Sequence, residues 1–86
     1  MIVRWTLHAK HMFAERAAML GLNYGEIELA IKKQEVKIKE ENDKCKTIFG
    51  IQNTILTAVK AEKPGLIYVL TLWEASEEEA KKWKQR

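Results

Sequence analysis

The chain lacks the residues that mark several specialised protein classes. Its one cysteine, Cys45, excludes an internal disulfide, and no Cys/His spacing suggests a zinc site. Asp, Glu and His do not cluster into a ligand motif, so neither a metal nor another cofactor is expected. No apolar run approaches the roughly 20 residues of a membrane span, and the opening MIVRWTLHAK has no long apolar core of a signal peptide. These absences argue against a membrane partner and for a cytoplasmic location. Linkers, repeats and low-complexity segments are missing too, so residues 1–86 are expected to form a single domain. A domain of that size buries only a modest core, which leaves room for a homodimer.

What is present is a globular composition, 47% hydrophobic and 31% charged. The net charge of +3 and pI near 9.1 permit a polyanionic partner without requiring one. Lysine and glutamate carry most of the charge, with a single aspartate, a bias found in thermophile proteins.

The organising stretch is Leu66–Trp73, LIYVLTLW. It is bounded by Pro64-Gly65 and Glu74 and is rich in β-branched and aromatic residues. Strict alternation puts Ile67, Val69 and Trp73 on one side and Leu66, Tyr68, Leu70 and Leu72 on the other. Both sides are apolar, so a central strand covered on both faces is expected.

Taken in order, Ile2–Thr6 reads as a strand whose last residue suits a helix N-cap. A helix over about Leu7–Leu20 follows, closed by Gly21. Spacing at 100° per residue puts Ala9, Phe13, Ala17 and Leu20 on one face, with Arg16 inside that stripe. Asn23 with Glu26 is a capping box for a second helix, with Ile27, Ala30 and Ile31 inward and Lys32-Lys33 at its end. Val36–Lys39 and Lys44–Phe49 alternate as strands around an Asn42-Asp43 turn. Gly50–Asn53 is expected to turn the chain into a strand over Thr54–Glu62, and Lys63-Pro64-Gly65 turns it into LIYVLTLW. Ser76 with Glu79 is a second capping box. It opens a last helix with Glu77/Lys81 and Glu78/Lys82 in favourable i,i+4 order, and Ala80 and Trp83 can anchor that helix. The expected fold is α+β, in the order β-α-α-β-β-β-β-α, with an antiparallel meander packed by an αα-hairpin.

Chemistry is concentrated in two places. Arg16, a guanidinium on an apolar stripe, must reach solvent, meet a carboxylate or line a pocket, where its planar donors suit a phosphate. His8, in the first turn of the same helix, is either a hydrogen-bonded histidine at a helix start or a proton acceptor. His11 and Glu15 form an i,i+4 surface pair. The second place is the set Lys37, Lys39, Lys44 and Lys46. If Val36, Ile38, Cys45, Thr47 and Phe49 face the core, all four lysines project from the opposite face. There they form a track for a phosphate backbone, or simply a soluble, aggregation-resistant surface. Tyr68 could stack on a base if its face is open. Cys45 reads as a core thiol.

From His8 the chain resembles a family of small prokaryotic domains whose first helix begins H-A-x-x-R-M-x-x-R-G. Those domains in turn resemble the RelE/ParE-like and BrnT-like toxin superfamily. His8-Ala9 matches the motif start, Met12 stands at the first arginine, Arg16 at the second, and the glycine arrives about one turn late at Gly21. Glu26, Ile27, Ala30 and Ile31 match the second helix, and Thr71 and Glu74 match the last strand and its acidic exit. The resemblance implies a RelE-like fold and a toxin-like protein that binds RNA or cuts it without metal, paired with an antitoxin-like partner protein. In such a reaction His8 would be the base, Arg16 the phosphate clamp and Lys46 an auxiliary cation, with Lys37, Lys39, Lys44 and Lys46 holding the RNA. That mechanism requires His8 and Arg16 to meet in one cleft. The alternative is a non-catalytic interaction module, an oligomer subunit or a degenerate relative.

Overall fold

The computed structural model describes residues 2–33 and 35–86. Strand β1 (Ile2–Trp5) is followed by helices α1 (Leu7–Met12) and α2 (Tyr24–Lys33). Strands β2 (Val36–Lys39), β3 (Lys44–Ile51), β4 (Thr54–Lys63) and β5 (Leu66–Glu74) come next, and helix α3 (Glu77–Lys84) ends the chain. The sheet order is β1-β5-β4-β3-β2. Strands β2 to β5 form antiparallel hairpins, but β1 lies parallel to β5, so the sheet is mixed where an antiparallel one was expected. The two helices carry the chain from one sheet edge to the other. LIYVLTLW is therefore second from the edge, and β4 is central.

The hairpin turns follow local chemistry. Asn42 and Asp43 both sit at positive φ, 58° and 61°, the pair of left-handed positions that a two-residue type I′ turn requires. Pro64-Gly65, with Gly65 at φ 73°, has the residue order of a type II turn. The β3–β4 turn is Gln52-Asn53, the second half of the expected Gly50–Asn53 segment, because Gly50 and Ile51 are strand residues.

Helices α1 and α2 cover the first face of the sheet. Phe13, Ile27 and Ile31 meet Phe49, Leu56, Ile67, Val69 and Leu72 there. Beyond α1 the helix widens into a π turn over Phe13–Ala17, where the Ala18 N–H reaches back to the Phe13 carbonyl, and tightens into a 3₁₀ turn over Ala18–Leu20. The wider turn keeps Ala9, Phe13 and Ala17, each four residues apart, on the buried side. It also rotates Arg16 out to the surface, so Arg16 is not on the apolar stripe. Leu20 is left 41% exposed, and Leu22 is buried instead.

Strand β5 carries a bulge. Val59 opposes Thr71 and Lys60 opposes Val69, so Leu70 is the extra residue. The bulge reverses the expected parity. Leu72 joins Ile67 and Val69 on the first face, and Trp73 joins Leu66 and Tyr68 on the second. Thr6 holds this irregularity: its hydroxyl donates to the Leu70 carbonyl (3.1 Å) and accepts from the Ala9 N–H (3.1 Å), capping α1. Thr6→Val, which removes both bonds while keeping the shape, should cost about 1–2 kcal/mol in denaturant unfolding, and Thr6→Ser should cost little. Equal stability of Thr6→Val and the parent would show that neither bond matters.

Candidate functional site

The four lysines do not share a face. Across β2 and β3, Lys37 opposes Thr47 and Lys39 opposes Cys45, whereas Val36 opposes Ile48 and Ile38 opposes Lys46. Directly opposed residues point to the same side. Lys37 and Lys39 therefore lie on the first face and Lys44 and Lys46 on the second. The expected alignment of Val36 and Ile38 with Cys45, Thr47 and Phe49 is off by one residue, and a one-residue slip turns every side chain over.

On the first face, Lys37 Nζ lies 3.0 Å and Lys60 Nζ 3.1 Å from the same oxygen, Oε1 of Glu62. These two cations hold the Glu62 carboxyl below its usual range against the opposing effect of burial. Lys60 is fully buried, 0% exposed, which no strand periodicity had marked. Cys45 is buried between Lys39 and Lys60 in cross-strand register.

The second face is divided. Helix α3 covers its upper half and is held by two carboxylates. Glu79 Oε1 accepts from the Ser76 N–H and from the Trp73 indole, both at 2.9 Å, and Glu79 Oε2 lies 3.3 Å from Lys46 Nζ. Burial alone would raise the Glu79 carboxyl. The hydrogen bonds from Ser76, Trp73 and Lys46 outweigh it and bring the pKa from 4.5 to about 2. Glu35 Oε1 accepts from the Gly50 N–H (3.0 Å) and from the Trp83 indole (3.1 Å). Lys46, the expected auxiliary cation, is thus taken up by a structural ion pair.

The lower half of the second face is uncovered. Its rows are Lys63, Leu66 and Ile2, then Lys44, Ala61, Tyr68 and Arg4. Arg4, Lys44 and Lys63 are exposed, Tyr68 and Ala61 are half-buried, and Ile2 is 58% exposed. No strand position of this half is acidic; Glu40, Glu41 and Asp43 stand in the turn beside Lys44.

His8 lies at the rim of that half. Its Nε2 is hydrogen-bonded to Thr71 Oγ1 at 3.1 Å, and Thr71 shares the second face with Val59 and Lys46. Arg16 does not join it. His8 lines one hollow with Leu7, Lys10 and His11, and Arg16 lines another with Glu15, Met19, Leu20 and Glu74. The His11–Glu15 pair, 3.0 Å, stands between them, one member in each. Arg4, the guanidinium on the open half, carries no local sequence signal, because Ile2–Thr6 stands out only by its apolar residues. Only the parallel pairing of β1 with β5 places Arg4 beside Tyr68. Among the described residues, no three His, Cys, Asp or Glu side chains gather as a metal site would need, and no helix is long and apolar enough to cross a membrane.

In class, then, the described residues form an α+β domain with a five-stranded mixed sheet and three helices. No family model, curated protein or solved structure matches it.

Proposed function

We propose that this is a toxin-like RNA-binding protein of RelE-like type. The observation that carries the reading is the open lower half of the second face, where Arg4, Lys44 and Lys63 are exposed, no strand position is acidic, and His8 stands at the rim. The geometry supports binding better than cleavage. His8 could serve as a base, but Arg16 is in another hollow and Lys46 is neutralised by Glu79. A complete metal-free site needs a base, a proton donor and cations around one phosphate.

Fluorescence anisotropy with a labelled RNA in EDTA tests both parts. Binding should weaken with salt at a log–log slope of about −2, as three phosphate contacts on a single strand predict. Any cleavage in EDTA should disappear in His8→Ala. Cleavage unchanged by that substitution, or none at all, removes the enzyme; absence of salt-sensitive retention removes the RNA. The second reading, a non-catalytic module meeting an antitoxin-like protein or a second copy of itself, is favoured by exposed apolar side chains on one stretch, Leu7 at 85% and Met19 at 82%. It predicts salt-insensitive behaviour and no RNA retention.

A further inference from the structure

We infer that the open half-face takes unpaired RNA, with a base stacked on Tyr68 and the flanking phosphates held by Arg4 and Lys44. This deepens the RNA-binding reading and rests on it. The register places these residues in one row: Lys44 opposite Ala61, Ala61 opposite Tyr68, Tyr68 opposite Arg4. Adjacent strands lie about 4.8 Å apart, so the row spans about 14 Å, close to the reach of two or three nucleotides.

Four features favour a single strand over a duplex. The β4 neighbour of Tyr68 is Ala61, whose single methyl puts no long side chain on that side of it. Tyr68 is half-buried, and it shares the face with Leu66 and Val59, an apolar bed for bases and a poor one for a phosphate backbone. The cations stand at the two ends of the row, so a strand running along the row meets charge, ring and charge in succession. Finally, α3 closes off the upper half through Glu79 and Trp83, so a bound strand is confined to the lower rows and to the rim where His8 meets Thr71. Stacking on an aromatic side chain needs a base free of its helix, and it is tolerant of sequence because every base has a π-face.

The test is anisotropy with a fluorescent single-stranded RNA 12-mer and with the same sequence annealed to its complement. The parent should bind the single strand at least tenfold more tightly than the duplex. Tyr68→Leu, which keeps the apolar bulk, should lose about tenfold or more in affinity with little change in salt slope. Arg4→Gln and Lys44→Gln should each flatten the slope by about 0.7. Lys32→Gln, on α2 and away from this face, should change neither. Single-strand binding that survives Tyr68→Leu and Arg4→Gln, or equal binding of the duplex, overturns this placement while leaving RNA binding intact. Absence of binding by the parent overturns both. Should Tyr68→Leu fail to fold, a 4-thiouridine crosslink to the parent decides: adducts within Leu66–Trp73 support the placement, and adducts confined to other segments refute it.

Discussion

Between pH 4.5 and about 2 the fold is expected to lose about 3 kcal/mol as Glu79 takes up a proton. The folded carboxyl titrates below its ordinary value, so its contribution is complete above about pH 4.5 and disappears as the pH falls toward 2. The cause is local. Protonation weakens the bond from the Trp73 indole, the capping bond from Ser76 and the attraction of Lys46, on a side chain only 10% exposed. Glu35 and Glu62 are also held below their ordinary range, so they add to the acid sensitivity with the same sign. Glu79→Gln separates the contributions. It should cost about 2–3 kcal/mol at pH 7, and its stability should fall less steeply than the parent's below pH 4.5. Urea unfolding of both proteins at a series of pH values measures this. Parallel pH curves would mean that Glu79 titrates normally and that the anchor is misassigned.

The other large effect belongs to Gly50. A β-carbon there would overlap Trp83 Cζ2 and stand 2.8 and 2.9 Å from Cη2 and Cε2 of the same ring. The indole cannot simply turn aside, since its N–H is bound to Glu35 and the Arg86 guanidinium lies 4.0 Å over the ring. Gly50→Ala should therefore destabilise by about 2–3 kcal/mol through displacement of α3. Trp83→Ala should cost about 2–4 kcal/mol by itself. Combined, the two should fall well short of additive, because without the ring Gly50→Ala is neutral or slightly favourable in a strand. Additive losses in the double-mutant cycle would refute the close approach.

Much of the local architecture was legible because short-range chemistry decides it. Ser76 and Asn23 form their caps with Glu79 and Glu26, and Asn42-Asp43 and Pro64-Gly65 make the turns their backbone preferences demand. What was not legible depends on partners far along the chain. Leu70 is the bulged residue because its carbonyl is bound by Thr6, and that one insertion moved Leu72 and Trp73 to opposite faces from those alternation assigns. The β2 lysines were misplaced because Val36 and Ile38 are equally apolar whichever way the strand is turned. The π turn after α1 changed the pitch that would have put Arg16 inside. Of the candidate site, His8 stands out from its place in the first helical turn and from the motif resemblance, while Arg4 can be recognised only once β1 has a neighbour.

The parallel seam between β1 and β5 also constrains the order of assembly. Strands β2 to β5 can zip up as successive hairpins from contacts close in sequence, but Ile2–Trp5 has no backbone partner until Leu66–Val69 has been made. On the ribosome the first strand must wait for the last, and Thr6 cannot complete its bond to Leu70 until then. The platform row would close at the same moment, when Arg4 comes alongside Tyr68. A nascent chain would therefore bring Arg4 beside Tyr68 only after Leu66–Val69 has been synthesised.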